Sequence, residues 1–192
     1  WVPFTREGGA LHLTREGGHS ARRIVHATDA TGAAVQHTLM ERVRAAPHVT
    51  LLERHVLVDL VTSHQTGHAG VPRCFGLVAL DEDRGELRTF SAAHTILATG
   101  GAGQVYLHTT NPASATGDGI AAAWRAGCRV SNLEFVQFHP TGIFHPDDGS
   151  FLISEAVRGE GGRLLLPAHL GGTRFMPAHD ARAELAPRDV VA

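Results

Sequence analysis

The spacing of apolar residues predicts a helix early in the chain. Val35, Leu39 and Val43 recur every four positions, which is typical of one face of an α-helix. The helix is expected to span residues 31–46, because Pro47 cannot continue it. A second, shorter helix is expected within residues 115–128, with Gly127 near its C-terminal end.

Runs rich in valine, leucine and aromatic residues predict strands between and after these helices. The predicted strands are Leu11 to Thr14, two pieces within residues 49–63, a hairpin over residues 74–92 that turns at Asp83 to Gly85, and a buried strand over residues 94–101 that ends in glycines. Residues 64–72 are rich in glycine, histidine and proline and predict a loop.

This order of elements favours the α/β class. Helix, strand pair, hairpin and buried strand resemble the second half of an α/β nucleotide-binding domain. From residue 132 the pattern changes to short strands and turns, with a helix around Ser154 to Arg158, so a domain boundary is expected near Ser131. The chain begins with Trp1 and ends just after what reads as a helix start, "APRDVVA", so it is expected to be the middle of a longer protein.

Composition narrows the class of protein. Hydrophobic residues make up 43% and charged residues 19% of the chain, a balance typical of a folded globular domain. The formal net charge of -2, without a basic block, argues against a nucleic-acid partner. No apolar run approaches the ~20 residues of a membrane span. Cys74 and Cys128 are isolated, which suits a reducing cytoplasm.

Two common kinds of catalytic site are disfavoured by residue spacing. The 14 histidines are scattered, and none forms an HxxxH or HxH pair with a carboxylate on a plausible helix, so no metal site is predicted. Ser154 lacks the GxSxG turn that exposes a hydrolytic serine, so it is not expected to be a nucleophile.

Glycine-rich turns are the first candidates for a binding site. "ATGGAG" places Thr99, Gly100 and Gly101 at the end of the predicted strand, where backbone can approach a phosphate or a ring closely. A purely structural turn is about as compatible with this sequence. Asp118 lies between two glycines at a helix start, where an acid either caps the helix or contacts a cofactor.

Ionisable groups among apolar residues are the second candidates. Glu155 and Arg158 are three apart on a predicted helix, which alone indicates an ordinary ion pair. Arg188 alone indicates a surface residue. Taken together, however, the arginines, His139 and the Ser154 hydroxyl offer the donors that bind a small dicarboxylate through charge-assisted hydrogen bonds.

Five motifs that follow one another in a fixed order resemble those of a known protein family. "ATGGAGQVY", "TNPASATGDG", "EFVQFHPTG", "SEAVRGEGG" and "ELAPRD" follow one another across residues 98–189. In this order they resemble the flavoprotein family of succinate dehydrogenase, fumarate reductase and L-aspartate oxidase. The segment "LTREGGHSARRIVHATDATG" and the later "AWRAGCRVSNLEF" resemble the aspartate-oxidising branch.

The resemblance implies FAD, bound by a Rossmann-like domain and covered by an α+β capping domain. Residues 1–131 would then be part of the FAD-binding domain, without its amino-terminal GxGxxG half, and residues 132–192 part of the capping domain. The family's downstream substrate histidine and arginine lie beyond Ala192, so the piece alone is expected to be inactive.

The resemblance also implies a role for each candidate residue. Asp118 matches an FAD contact, with Thr99, Gly100 and Gly101 beside it. His139 and Ser154 match positions that hold a substrate carboxylate, although relatives often carry threonine where Ser154 stands. The remaining roles fall to charged residues: Arg188 would move a proton, Glu155 and Arg158 would relay it, and Glu16 would orient a substrate amino group.

The implied activity is oxidation of L-aspartate to iminoaspartate by hydride transfer to FAD, with oxygen or fumarate as acceptor. The product would serve quinolinate and NAD synthesis, with quinolinate synthase as a partner and the cytoplasm as location. Arginine is a poor base, since its free pKa exceeds about 12, so proton donation to fumarate is the easier direction. Gly142 is more usual in the succinate and fumarate branch, so a soluble fumarate reductase or a succinate dehydrogenase subunit remains as an alternative. A non-catalytic fragment is a further alternative.

Overall fold

The computed structural model describes residues 1–28, 30–147 and 149–192. Its strands are β1 (Arg6–Glu7), β2 (Ala10–Leu11), β3 (Leu13–Thr14), β4 (Ile24–Val25), β5 (His55–Thr62), β6 (Cys74–Asp81), β7 (Glu86–Ser91), β8 (Gly142–His145) and β9 (Gly149–Leu152). Its α-helices are α1 (Thr31–Ala45), α2 (Asp118–Arg125), α3 (Ala156–Gly159) and α4 (Arg188–Val191). Short 3-10 turns connect several of these elements.

The chain divides into two compact units. Unit 1 contains Trp1–Leu51 and Gln137–Ala192, and unit 2 contains Leu52–Val136. The end of unit 2 falls close to the boundary expected near Ser131. Residues 1–51 cluster with the C-terminal part of the chain, whereas the sequence assigned them to the same domain as residues 52–131. The domain assignment stays a prediction, because compact units need not coincide with the domains of a full-length protein.

Unit 2 is built on an antiparallel sheet with the order β5-β6-β7. The predicted hairpin is confirmed: β6 and β7 pair from Gly76 opposite Ser91 to Asp81 opposite Glu86. Asp81 Oδ1 accepts the backbone N–H groups of Asp83 and Arg84, each at 3.2 Å, and so holds the turn.

Helix α2 packs on strand β5 in the same unit. Ala122 is fully buried on the helix, and Arg125 extends across the sheet to donate to the Val58 carbonyl oxygen at 2.7 Å. The predicted helix is therefore confirmed. It ends at Arg125, and Gly127 follows near its C-terminal end as expected, with a φ of +86° that suits a residue without a side chain.

The predicted buried strand over residues 94–101 is wrong. None of these residues lies in a strand, and Ile96 is 88% exposed. A strand requires a hydrogen-bonded neighbour, and no strand of the described sheets pairs with this segment. The expected pair of strands within residues 49–63 is also corrected, to the one strand β5.

The predicted first helix is confirmed in unit 1 as α1. Its buried side centres on Thr38, whose Oγ1 donates to the Ala34 carbonyl oxygen at 2.9 Å, while Leu39 is more than half exposed. The strand expected from Leu11 to Thr14 is broken into β2 and β3, because the first pairs with β1 and the second with β4.

The C-terminal part of unit 1 carries short elements. Strands β8 and β9 form a hairpin, and the helix expected around Ser154 to Arg158 is found at α3. The core here is small, with Met176 and Ala186 its most buried apolar residues. Across the described ranges, no helix is long and apolar enough to cross a membrane.

Candidate functional site

The predicted cofactor residues lie in unit 2, around a turn that leads to helix α2. Gly117 has a φ of +81° and precedes the helix, and its N–H donates to the Gly101 carbonyl oxygen at 3.2 Å. A Cβ added at Gly119 would lie 1.9 Å from Thr99 Oγ1, so the turn needs glycine there. We name residues 98–103 the cofactor turn.

Asp118 is the first residue of α2, and Gly117 occupies the capping position before it. Asp118 Oδ2 accepts a hydrogen bond from Thr116 Oγ1 at 2.8 Å. Its place at the positive end of the helix dipole favours a carboxylate. Of the two roles left open by the sequence, capping is thus the weaker, since Asp118 does not stand at the cap.

A cavity of about 470 Å³ adjoins the cofactor turn. Thr99, Gly100 and Gly119 line it together with apolar side chains such as Ile120 and Leu133. Nothing lies within 4 Å of a Cβ added at Gly100 or Gly101, so their backbone is open to a ligand. The open glycine backbone and the apolar wall fit a flat ring system with attached phosphates, as in FAD.

The predicted proton-relay residues form a connected chain in unit 1. Arg158 Nη2 donates to Glu155 Oε1 at 2.9 Å, and Arg188 Nη2 donates to Glu155 Oε2 at 2.9 Å. Glu155 is 5% and Arg158 3% exposed, whereas the Arg188 side chain is about a third exposed. One carboxylate therefore bridges a buried guanidinium and a more accessible one. We call these residues the relay triplet.

The relay triplet has two further partners that the sequence did not reveal. Gln137 Oε1 accepts a hydrogen bond from Arg188 Nη1 at 2.7 Å, and the Glu184 backbone oxygen accepts one from Arg158 Nη1 at 2.7 Å. Gln137 lies only two residues before the candidate His139. That closeness is the one feature of the sequence that could have pointed to Gln137 as a site residue. Both ends of the relay triplet are thus held in place by hydrogen bonds.

His139 is half-buried and oriented by the backbone. Its Nδ1 lies 2.9 Å from the Thr141 carbonyl oxygen and 3.4 Å from the Thr141 backbone nitrogen, so the backbone occupies Nδ1 and Nε2 is the nitrogen left for a ligand. Thr141 is buried, and its Oγ1 donates to the Ile153 carbonyl oxygen at 3.1 Å. Nε2 is thus the atom through which His139 would donate a hydrogen bond to a carboxylate.

Ser154 is exposed just before α3. Its Oγ accepts the Ala156 N–H at 3.3 Å, which leaves the hydroxyl proton free to donate to a substrate carboxylate. Ser154 therefore keeps the donor capacity that the dicarboxylate hypothesis requires.

Glu16 is half-buried on a segment that packs tightly against α3. A Cβ added at Gly159 would lie 1.9 Å from the Arg15 carbonyl oxygen, and one added at Gly17 would lie 2.9 Å from the Ala186 carbonyl oxygen. These close approaches fix the backbone on both sides of Glu16. The structure thus places Glu16, His139, Ser154 and the relay triplet in unit 1, and the cofactor residues in unit 2.

Among residues 1–28, 30–147 and 149–192, no group of His, Cys, Asp and Glu side chains is arranged to hold a metal ion.

Comparison with known proteins adds to this geometry. Residues 1–192 match the family described as FAD binding domain. The chain is 66% identical to L-aspartate oxidase 1 of Ralstonia nicotianae and 56% identical to L-aspartate oxidase of Pseudomonas aeruginosa. Each alignment covers all of this chain and 36% of the relative. A solved quinol-fumarate reductase with menaquinol molecules is similar with a TM-score of 0.85 and 32% identity, over 99% of this chain and 33% of that one.

The chain thus spans about a third of the length of these relatives. The mixture of helices and sheets and the likeness to the quinol-fumarate reductase confirm the α/β fold class.

Proposed function

Because the chain belongs to the FAD binding domain family, we propose that the full-length protein uses FAD to oxidise L-aspartate to iminoaspartate. The observation that carries this proposal is the relay triplet, in which Glu155 bridges Arg158 and Arg188 within one compact unit. Curated L-aspartate oxidases at 66% and 56% identity support the choice of substrate.

We propose that residues of unit 1 bind and orient the substrate. His139 and Ser154 donate hydrogen bonds to its carboxylates, and Glu16 accepts one from its ammonium group. Charge-assisted hydrogen bonds of this kind contribute about 1.5–3 kcal/mol each, enough to select a dicarboxylate from monocarboxylates.

The relay triplet moves the proton. Arg188, the more exposed of its two arginines, faces the substrate, and Glu155 passes the proton between Arg188 and Arg158. Glu155 holds one oxygen on each guanidinium, so it accepts the proton from one of them and, after its carboxyl group rotates, delivers that proton to the other. Gln137 keeps the Arg188 guanidinium in the orientation that this transfer requires.

FAD, when bound, supplies the electron chemistry by accepting a hydride from C2 of the substrate. Thr99, Gly100, Gly101 and Asp118 would hold it, the glycines through their backbone and Asp118 through its carboxylate. Oxygen or fumarate would then take the electrons. The product would serve quinolinate and NAD synthesis in the cytoplasm, with quinolinate synthase as the recipient.

A second function is favoured by one observation. The solved quinol-fumarate reductase shares the fold at 32% identity, and fumarate and succinate are dicarboxylates that lack an amino group. A fumarate-reducing or succinate-oxidising protein would use the same relay triplet but would have no need of an acid for an ammonium group. Glu16 therefore separates the two proposals.

The decisive experiment follows the flavin spectrum of the purified full-length protein without oxygen. L-aspartate should bleach the oxidised flavin band, and succinate should not. Bleaching by succinate alone would support the second function instead, and absence of a flavin band would refute both.

Substitution of Glu16 tests the basis of selectivity. In Glu16→Gln, we expect kcat/KM for L-aspartate to fall by about 10²-fold, because the proposed carboxylate–ammonium pair with the substrate is lost. Fumarate reduction should change less than about threefold. Glu41→Gln, an exposed change on α1, serves as the matched control. Equal losses for aspartate and fumarate would remove Glu16 from substrate selection.

A further inference from the structure

A second cavity, in unit 1, is lined mainly by arginine. It has a volume of about 320 Å³, and five of its ten lining residues are arginines, against one acid. The arginines are Arg15, Arg158, Arg163, Arg174 and Arg182, and the acid is Glu184. We name it the arginine cavity. Its wall is otherwise made of glycines and Leu185, which bring no charge.

Part of this positive charge is neutralised within the protein. Glu184 is 3% exposed and accepts hydrogen bonds from Arg174 Nε at 2.8 and 3.1 Å. That contact lowers the pKa of Glu184 to about 2, against the opposing effect of burial, so Glu184 is ionised and already compensated by Arg174. Arg182 is likewise paired with Asp180 at 2.9 Å.

The remaining arginines carry positive charge in excess. Arg158 has a carboxylate partner in Glu155, but Glu155 shares its other oxygen with Arg188. For Arg15 and Arg163, the described part of the chain shows no acidic partner. The arginine cavity therefore holds more positive charge than its own acids balance.

A buried donor in the wall is also unsatisfied. Arg158 Nε is inaccessible to solvent and has no hydrogen-bond acceptor among the described residues. The Arg158 side chain is 2% exposed. A buried N–H without an acceptor is unfavourable, which adds to the cost of burying the excess positive charge beside this cavity.

From this cavity, we propose that the protein binds a small oxyanion with at least two negative charges, at a site separate from that of its substrate. Planar guanidinium forks match carboxylate and phosphate oxygens, and a volume of about 320 Å³ admits a phosphate or a short dicarboxylate. Phosphate and a short dicarboxylate share the chemistry that this site would recognise, namely two or more anionic oxygens on one small molecule. Since Arg158 belongs to both the cavity and the relay triplet, the bound anion would also stabilise the inner end of the relay.

The test is anion binding to the full-length flavoprotein. Inorganic phosphate is titrated by calorimetry at constant ionic strength in chloride, and we expect one saturable site. In the double variant Arg15→Gln/Arg163→Gln, affinity should fall at least tenfold, because the uncompensated charges are removed. Arg6→Gln/Arg84→Gln lowers the net charge equally outside the cavity and should bind as the wild type does.

A parallel titration with succinate separates the two sources of such an anion. If the wild type binds two succinates and the cavity variant Arg15→Gln/Arg163→Gln binds one, the cavity is a dicarboxylate site. If the cavity variant loses affinity for phosphate but not for succinate, the cavity is a phosphate site. If the glutamine variant does not fold, Arg15→Lys/Arg163→Lys keeps the charge, and a threefold or greater loss of affinity supports the proposal.

Equal anion affinities of the cavity and control variants would overturn the proposal. So would a wild type that binds no phosphate saturably and binds only one succinate. Because the readout is binding heat, its result is independent of whether L-aspartate bleaches the flavin.

Discussion

The cofactor turn and the relay triplet use opposite means to prepare a site. The cofactor turn has no charged side chain and packs against a position without a side chain, since a Cβ at Gly119 of α2 would lie 1.9 Å from Thr99 Oγ1. The relay triplet depends on side chains that are present, since Glu155 is 5% exposed and satisfies two arginines. In our proposal, one region binds through exposed backbone, and the other acts through buried charge.

This difference predicts opposite sensitivities. Added atoms should damage the cofactor turn, because the backbone there must approach both α2 and a ligand. Removed charges should damage the relay triplet, because an unpaired charge remains buried. Four changes, in order of decreasing expected effect, would sharpen or break this contrast.

Replacing Arg188 should give the largest effect. In the full-length Arg188→Leu protein, turnover should fall at least ~10³-fold, because the group that we propose exchanges a proton with the substrate is lost. The flavin spectrum should be retained, since Arg188 lies outside the cofactor turn. Steady-state assays and absorbance spectra measure the two effects, and Arg22→Leu, a surface change, is the control. Substantial remaining activity would exclude Arg188 from the mechanism.

Neutralising the bridging carboxylate should be the next largest change. Glu155→Gln leaves two guanidiniums without a counter-charge and is expected to reduce kcat by about 10²-fold. It should also lower the free energy of unfolding by about 3–5 kcal/mol, the usual cost of breaking a buried pair.

Glu160→Gln is the matched control for this change, because Glu160 forms a half-exposed pair with Arg22 at 2.7 Å. Its effect on unfolding should stay below about 1 kcal/mol. Similar losses in both variants, measured by urea titration, would contradict the special position of Glu155.

An added methyl group should damage the cofactor turn. In Gly119→Ala, the new Cβ collides with Thr99, and unfolding should become easier by about 1–3 kcal/mol with a lower flavin content. Gly101→Ala adds the same methyl group where no atom lies within 4 Å, and the apoprotein should keep its stability. If Gly119→Ala retains stability and flavin, close packing is not what forms this turn.

The smallest expected effect concerns acid stability. The pKa of Glu184 is about 2 in the folded protein and about 4.3 in the unfolded chain. At pH values between these two, the unfolded chain therefore binds more protons than the folded protein. The stability contributed by this carboxylate is complete above about pH 5 and is lost as the pH falls toward 2. Glu184→Gln should therefore flatten the loss of stability between pH 5 and 2. Glu41→Gln should leave the profile unchanged, and parallel profiles for all three proteins would contradict the role of the Arg174 contact.

Local patterns predicted the elements that depend on local interactions. The helix α1 and the hairpin of β6 and β7 follow from residue spacing and from turn residues within a few positions of one another. The strand expected over residues 94–101 failed, because strand formation depends on a partner that the segment itself does not encode.

The candidate site shows the same limit. Glu155 and Arg158 are three residues apart, so their pairing was visible in the sequence. Gln137 and Arg188 are separated by 51 residues, and Arg158 and the Glu184 carbonyl by 26. Contacts over such distances depend on the fold, and only the resemblance of several motifs at once pointed to the residues that meet.

The close packing of Gly159 against Arg15 has a consequence for how specificity can change during evolution. The backbone beside position 16 is held by a neighbouring helix and not by the side chain at that position. A substitution at position 16 can therefore alter which molecule is accepted while the loop keeps its course. The same scaffold can diverge among related substrates through single substitutions, provided that Gly159 is retained.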